Sequence, residues 1–591
     1  MIDVHRHTVW LAVLLALAIG ASGCSRQERV MRRLGLIHDM TLKSEAAPST
    51  STGDLMTVSR IWPTTTKGAE VFKGNFWASP LLVELPGKAP SLIVLPSSGF
   101  VASLDPLTGK RQWLLELPHG PDEAVELRAA PLQLGDELLV AYTVRDAKTG
   151  ETGKAGHRAV MVDLRRGRIS PRFKPLAFAA RYPAAGGGSF AFDPEWQMPR
   201  AIAHIPAGSG LGHAYVAFGA DRDLGGWHGW LFELDLDAWL QGGPAGAMSS
   251  VFATTNEAEC DDGTKGLLCG GGLWAYAGPQ VQQGAAGPEI LIQTGNGRLD
   301  LSRGSYSQSL LRVRPGLKFD PGCDRRICSL TNPRDPSGDC LASCRNLFVP
   351  RLLPSDRPLR PADGSCDGLS YMACLEFKDW DFGSTSPVRV EAGGRAFYVT
   401  AGKAGDVFLL DADKLGVMYD RAQIVDLCGV PGEPCPTPNE GLTMTQPVAA
   451  VVDGEPVVII PNYNTDDTHP AGVAAYRVRM RAGGPKLQLA WRVPDPSSPE
   501  ARTWFRAPPT RPVLQTIAGE QVVWIADNGR EGRLLALKVR NGQVVANLRT
   551  GGWPMRNSKP VIHNGVIYLP AAVPGRDDLT WIEAYRVQAL K

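Results

Sequence analysis

The chain has 591 residues, with 62 lysines and arginines against 60 aspartates and glutamates, a formal net charge of +2 at pH 7. So balanced a charge gives no basic field for a nucleic acid, and none is expected as a partner. Its 65 glycines and 47 prolines, with short runs of Val, Leu, Thr and Trp and no long amphipathic helical pattern, exclude a helical protein and predict an all-β chain.

Residues 1–23 read as a signal peptide. His5, Arg6 and His7 precede the apolar run "VWLAVLLALAIG", which is too short for a stable membrane anchor and ends in "ASGC". This resembles a bacterial lipobox, with Ala21 where leucine is commoner, and implies lipidation of Cys24. An ordinary secretory cleavage near Ala21 is the alternative. Ser25 after the cysteine implies, by the lipoprotein sorting pattern, the outer membrane of a bacterial envelope. Residues 24–65 read as a tether: Arg26, Arg29, Arg32 and Arg33 lie beside headgroups, and the polar linker "SEAAPSTSTGD" follows.

The body, residues 66–591, is repetitive. "APSLIVLPSSGFVASLDPLTGKRQW" contains a strand, a polar turn, a strand ending Leu-Asp, a Thr-Gly turn and a tryptophan. Weaker copies follow, among them "RAVMVDLRRGRI", "HGWLFELDLDAW", "GDVFLLDADKLG" and "EGRLLALKVRNGQVV". Several are preceded by a strand-opening phrase such as "ASPLLVEL", "TSPVRVEA" or "TRPVLQTI". Each unit reads as a four-stranded antiparallel sheet, and eight are counted. One such sheet cannot bury both faces alone, whereas a closed ring can, so an eight-bladed β-propeller is expected, with a two-sheet sandwich as runner-up.

Ten cysteines remain beyond Cys24, and an even number in an exported chain argues for disulfides. Cys260 with Cys269, and Cys428 with Cys435, are natural local pairs. Cys323, Cys328, Cys340, Cys344, Cys366 and Cys374 crowd an insertion at about 316–376 whose connectivity stays open. Their spacing also allows a zinc site from Cys323, Cys328, Cys340 and Cys344, which an oxidising compartment disfavours. The insertion is read as a lid over the ring axis or a docking platform.

"SLDPLTGKRQW" resembles the tryptophan-docking repeat of quinoprotein propellers, and "WHGWLFELD", "GGGLW", "TGNG", "DWDFGSTSP" and "AGKAGDVFLLDADKLG" occur in that family's order. The likeness is to an uncharacterised bacterial branch. It implies pyrroloquinoline quinone (PQQ) and calcium on the axis and a dehydrogenase of alcohols or sugars. Trp274 would be the stacking floor, Asn296 and Asp223 metal ligands, Asp381 the base and Lys403 the quinone contact. Electrons would pass to an external acceptor, since no C-x-x-C-H encodes a bound haem. Two departures stand out. Leu224 falls where the family has a glutamate ligand, with Asp221 and Asp223 nearby, and no two cysteines are adjacent to roof a quinone. The alternative is a non-catalytic envelope scaffold with a protein partner, similar to the propeller lipoprotein of the outer-membrane β-barrel assembly machinery. If the enzyme reading holds, Trp274, Asn296, Asp381 and Lys403 converge, with a carboxylate of Asp221 or Asp223 in metal reach.

Overall fold

The computed structural model describes residues 50–63, 69–152, 156–221, 225–260, 269–284, 286–354, 366–424, 443, 445–464, 470–529, 531–556 and 558–590. Cys24, Asp223, Cys428 and Cys435 lie outside these residues, as does the signal peptide. Among the described residues no helix is long and apolar enough to cross a membrane.

Proline opens the innermost strands where the sequence predicts it. Leu81–Val83, Val388–Ala392, Val448–Val452, Val513–Ile517 and Val561–His563 each follow the proline of a strand-opening phrase. Proline fixes its own φ and donates no hydrogen bond, so a strand's first position tolerates it. From each such strand the chain meanders outward. The fifth sheet, for example, runs Val388–Ala392, Arg395–Ala401, Asp406–Asp411 and Met418–Gln423, antiparallel throughout.

Seven sheets are each built from one contiguous stretch: 81–116, 123–177, 197–253, 280–348, 388–423, 448–493 and 513–549. An eighth is composite. There Met56–Trp62 pairs with Arg576–Ala589, so both chain ends share one sheet. The sequence reading of eight self-contained units is corrected to seven, with the last sheet assembled from both ends. The tether boundary moves as well. Met56, Val58, Arg60 and Trp62, inside the stretch read as linker, alternate buried with half-buried neighbours, as a paired strand requires.

Ring closure follows from burial. A separate apolar cluster fills each of the eight junctions between successive sheets. The closing one packs Trp62, Tyr568 and Ile582 of the composite sheet on Leu92, Val94 and Leu104 of the first. Each fully buried Leu, Val or Phe contributes about 1.5–3 kcal/mol relative to exposure, so a missing sheet would strand two clusters at once.

The docking tryptophans work between neighbours. Trp62 covers Gly109 of the first sheet, Trp113 of the first covers Gly167 of the second, and Trp491 of the sixth covers Gly542 of the seventh. All three glycines have φ between 61° and 74°, where a Cβ would also strike the indole. Trp62 and Trp491 each donate their indole N–H to a carbonyl in the next sheet, Pro106 and Val539.

The cysteine-rich insertion divides in two. Its first part leaves the strand Leu310–Val313 and returns as Leu347–Phe348, the outer strand of the same sheet. Nested disulfides Cys323–Cys344 and Cys328–Cys340 close it, which corrects the zinc alternative. It sits on the rim, where Cys344 and Arg345 carbonyls accept N–H bonds from Gly416 and Leu415. Its second part, stapled by Cys366–Cys374, carries the helix Tyr371–Phe377 and packs against Trp380 and Ala404, beside the axial loops.

Candidate functional site

The loops after the second strands of the fourth and fifth sheets meet at one point. Gly287–Gln293 leads to Asn296, and Arg395–Ala401 leads to Lys403. Asp381 follows the helix Tyr371–Phe377 at the start of the short turn Phe382–Ser384. Gln293 ties the three together. Its carboxamide N–H donates to the carbonyls of Ala401 and Phe382, and its oxygen accepts the Thr400 hydroxyl at 2.6 Å. A buried amide with its hydrogen bonds made fixes loop positions that propensity alone leaves free.

Within this clamp the polar groups satisfy one another. Asp381 Oδ1 accepts the Asn296 backbone N–H at 2.6 Å, and Oδ2 accepts from Lys403 Nζ at 2.7 Å. Lys403 Nζ also reaches Asp379 Oδ2 and the Asp379 carbonyl, both at 3.1 Å. Asn296 Nδ2 donates to Asp379 Oδ1 at 2.8 Å, while its Oδ1 accepts from Gln308 Nε2. Gln308 holds a left-handed backbone (φ 50°) and accepts the Phe382 N–H at 2.6 Å. Gly295 lets the groups close up, because a Cβ there would overlap both Asp381 Oδ1 and Trp274 Nε1.

Trp274 is half-buried beside them. The Arg200 guanidinium lies over its ring at 4.8 Å from the centroid, and Trp227 meets it edge-on at 5.7 Å. Arg200 begins a second constellation nearer the first three sheets. Its Nη2 donates to the Ala220 carbonyl at 2.6 Å, and its Nη1 reaches the Tyr276 hydroxyl at 3.3 Å. Tyr276 stacks on Trp77 (6.0 Å, 9°), and Arg128 and Arg556 both lie over the Trp77 ring. Burial alone would raise Glu126, but Arg128 and Arg145 outweigh it and hold the carboxyl at about 2. Nearby, burial lowers Arg511 to about 10, and burial with the Arg511 charge lowers Lys559. Arg511 Nη2 and the Lys559 backbone N–H both donate to Ser79 Oγ at 2.8 Å.

Trp274, Asn296, Asp381 and Lys403 therefore do come together, as expected. Of the expected metal set, Asp223 lies outside the described residues. Asp221, the described carboxylate of the expected pair, is buried 2.9 Å from Arg145 Nη2 and 3.8 Å from Arg128 Nη2. The Asn296 amide oxygen is taken by Gln308, and both Asp381 oxygens receive protein donors, one an ammonium. Calcium needs six to eight oxygen ligands at 2.3–2.6 Å. These residues, as arranged, do not offer them. Sequence reasoning missed Gln293, Gln308, Arg200 and Trp77, single polar or aromatic residues, and Tyr276, which lies two residues after Trp274.

No protein-family model and no curated protein matches the chain. Solved structures do. The quinohemoprotein alcohol dehydrogenase ADHIIG from Pseudomonas putida HK5 is 11% identical, with a TM-score of 0.49 over 88% of this chain and 76% of that one. A europium-containing methanol dehydrogenase is 13% identical, with a TM-score of 0.47 over 93% and 94%. BamB from Moraxella catarrhalis is 12% identical, with a TM-score of 0.43 over 88% and 98%. These similarities concern the propeller fold alone.

Proposed function

We propose that this chain is a quinoprotein-like propeller serving as a lipid-anchored envelope scaffold, with the composite sheet as the eighth blade of its ring. The observation that carries the reading is the closed Lys403–Asp381–Asn296 network. Every oxygen that a hard cation would take from these residues already accepts a proton donor, and Lys403 supplies the compensating positive charge itself. A docking role is supported by the insertion, which exposes Ile327, Leu330 (87%), Leu369 and Phe377 (65%) on a disulfide-stapled support. Lipid on Cys24 would hold this platform at the outer membrane beside a protein partner.

A second reading is favoured by the convergence of Trp274, Asn296, Asp381 and Lys403: a PQQ-dependent dehydrogenase of alcohols or sugars, with Asp381 as base and an external electron acceptor. Two experiments test the choice. Labelling with a fatty-acid analogue in a bacterial host should mark the wild type and not Cys24→Ala. Dye-linked assays with alcohols and sugars, after reconstitution with PQQ and calcium, should show no turnover. Turnover lost in Asp381→Asn would overturn the scaffold reading, and an unlabelled wild type would overturn the anchor.

A further inference from the structure

His228 immediately precedes Gly229 and the strand Trp230–Asp235, is 5% exposed, and has its ring plane set by Phe190 (4.4 Å, 21°) and Trp230 (6.0 Å, 78°). Thr255 Oγ1 lies 2.8 Å from His228 Nδ1 and 3.3 Å from the Gly270 carbonyl, and Nε2 faces Cys260 Sγ at 3.5 Å.

Cys260 is disulfide-bonded to Cys269. A disulfide sulfur has no hydrogen to offer, so the oxidised pair gives Nε2 no donor. Nε2 and the two sulfurs all lie within 4.8 Å of one another. Two thiolates and an imidazole whose other nitrogen is held by a hydroxyl make a ligand set for a soft cation.

We propose that Cys260, Cys269 and His228 form a redox-gated site for a thiophilic cation of the Zn²⁺ or Cu⁺ type. A dithiol reductant opens the site: it passes two electrons and two protons to the disulfide, becomes a disulfide itself, and leaves two thiols here. On binding, the cation displaces both thiol protons to solvent and takes the Nε2 lone pair as its third protein ligand. Thr255 is the positioning residue. The site also adjoins the Asn296 loop, because Gly270 bridges His228 on one side and Gly297 on the other.

The test uses the full chain without its lipid, reduced anaerobically by a phosphine that does not compete for zinc, with Zn²⁺ as the probe. Reduced wild type should retain one equivalent more than either His228→Ala or the Cys260→Ser/Cys269→Ser double variant, and the oxidised protein should lack that equivalent. The paired variants guard against thiols elsewhere and against one variant misfolding. Thr255→Val should keep the stoichiometry and weaken affinity about 10- to 100-fold. Equal zinc uptake by reduced wild type and both ligand variants would overturn the proposal.

Discussion

Lys403 Nζ lies 2.7 Å from Asp381 Oδ2, with both side chains 9% exposed. The two charges neutralise each other where a quinoprotein enzyme would be expected to place a metal. Removing one partner of a buried pair leaves an uncompensated charge, at a cost of about 3–5 kcal/mol. Lys403→Met should therefore destabilise the protein by that order in urea titration. Asp381→Asn should cost less, because Asp379 remains 3.1 Å from the ammonium and the new amide oxygen still accepts the Asn296 N–H. Equal losses would show that the pair does not act as described.

The tryptophan–glycine docking makes a comparative prediction. Gly542→Ala forces a methyl onto the Trp491 indole and a positive φ on alanine, whereas Gly135→Ala meets open space at φ 61°. The strain alone costs about 1–2 kcal/mol, and overpacking adds about 1–3 more. Thermal unfolding should rank Gly542→Ala clearly below Gly135→Ala, with Gly109→Ala beside the former.

Ring closure rests on Glu583, which is fully buried in the strand from the chain's far end. It accepts the backbone N–H groups of Gly551 and Gly552 at 2.9 and 2.6 Å, and Arg60 of the N-terminal strand lies 4.0 Å away. Glu583→Ala orphans those donors and the guanidinium, so a loss of about 3–5 kcal/mol is expected by denaturant titration. Removing residues through Trp62 should give aggregation on size-exclusion chromatography.

Asp527 carries a pH signature. Burial pushes its carboxyl up to about 6 from its ordinary 3.8, against hydrogen bonds from the Phe505 and Gly529 backbone. A raised carboxyl pKa means that the folded state holds its proton more tightly than the unfolded state. No penalty exists below about pH 4; it grows as pH rises to 6 and stays constant above, amounting to about 3 kcal/mol at 1.36 kcal/mol per unit. Asp527→Asn should stabilise the protein at pH 7 by that order, with no gain at pH 4. A gain independent of pH would exclude this cause.

What could be read in the sequence was what is local. The prolines that open strands and the Cys260–Cys269 staple both depend on residues near one another in the chain. The strand at Met56–Trp62 reads as tether because its partner, Arg576–Ala589, lies at the other end of the chain, and alternation over so few residues is weak without it. The four site residues stand out by their order along the chain, but order carries no information about which lone pairs are free. Whether Asn296 can ligate a metal depends on where the Gln308 side chain points. Arg145, which takes Asp221, comes from a different sheet.

Calorimetric titration of PQQ into residues 25–591, with and without calcium, tests the closed network most directly. The account predicts no binding at micromolar concentrations in either condition, because Lys403, Gln308 and the Asn296 backbone already hold the oxygens a metal would need. Calcium-dependent micromolar binding that Trp274→Ala weakens would contradict it and place a working quinone centre on the axis.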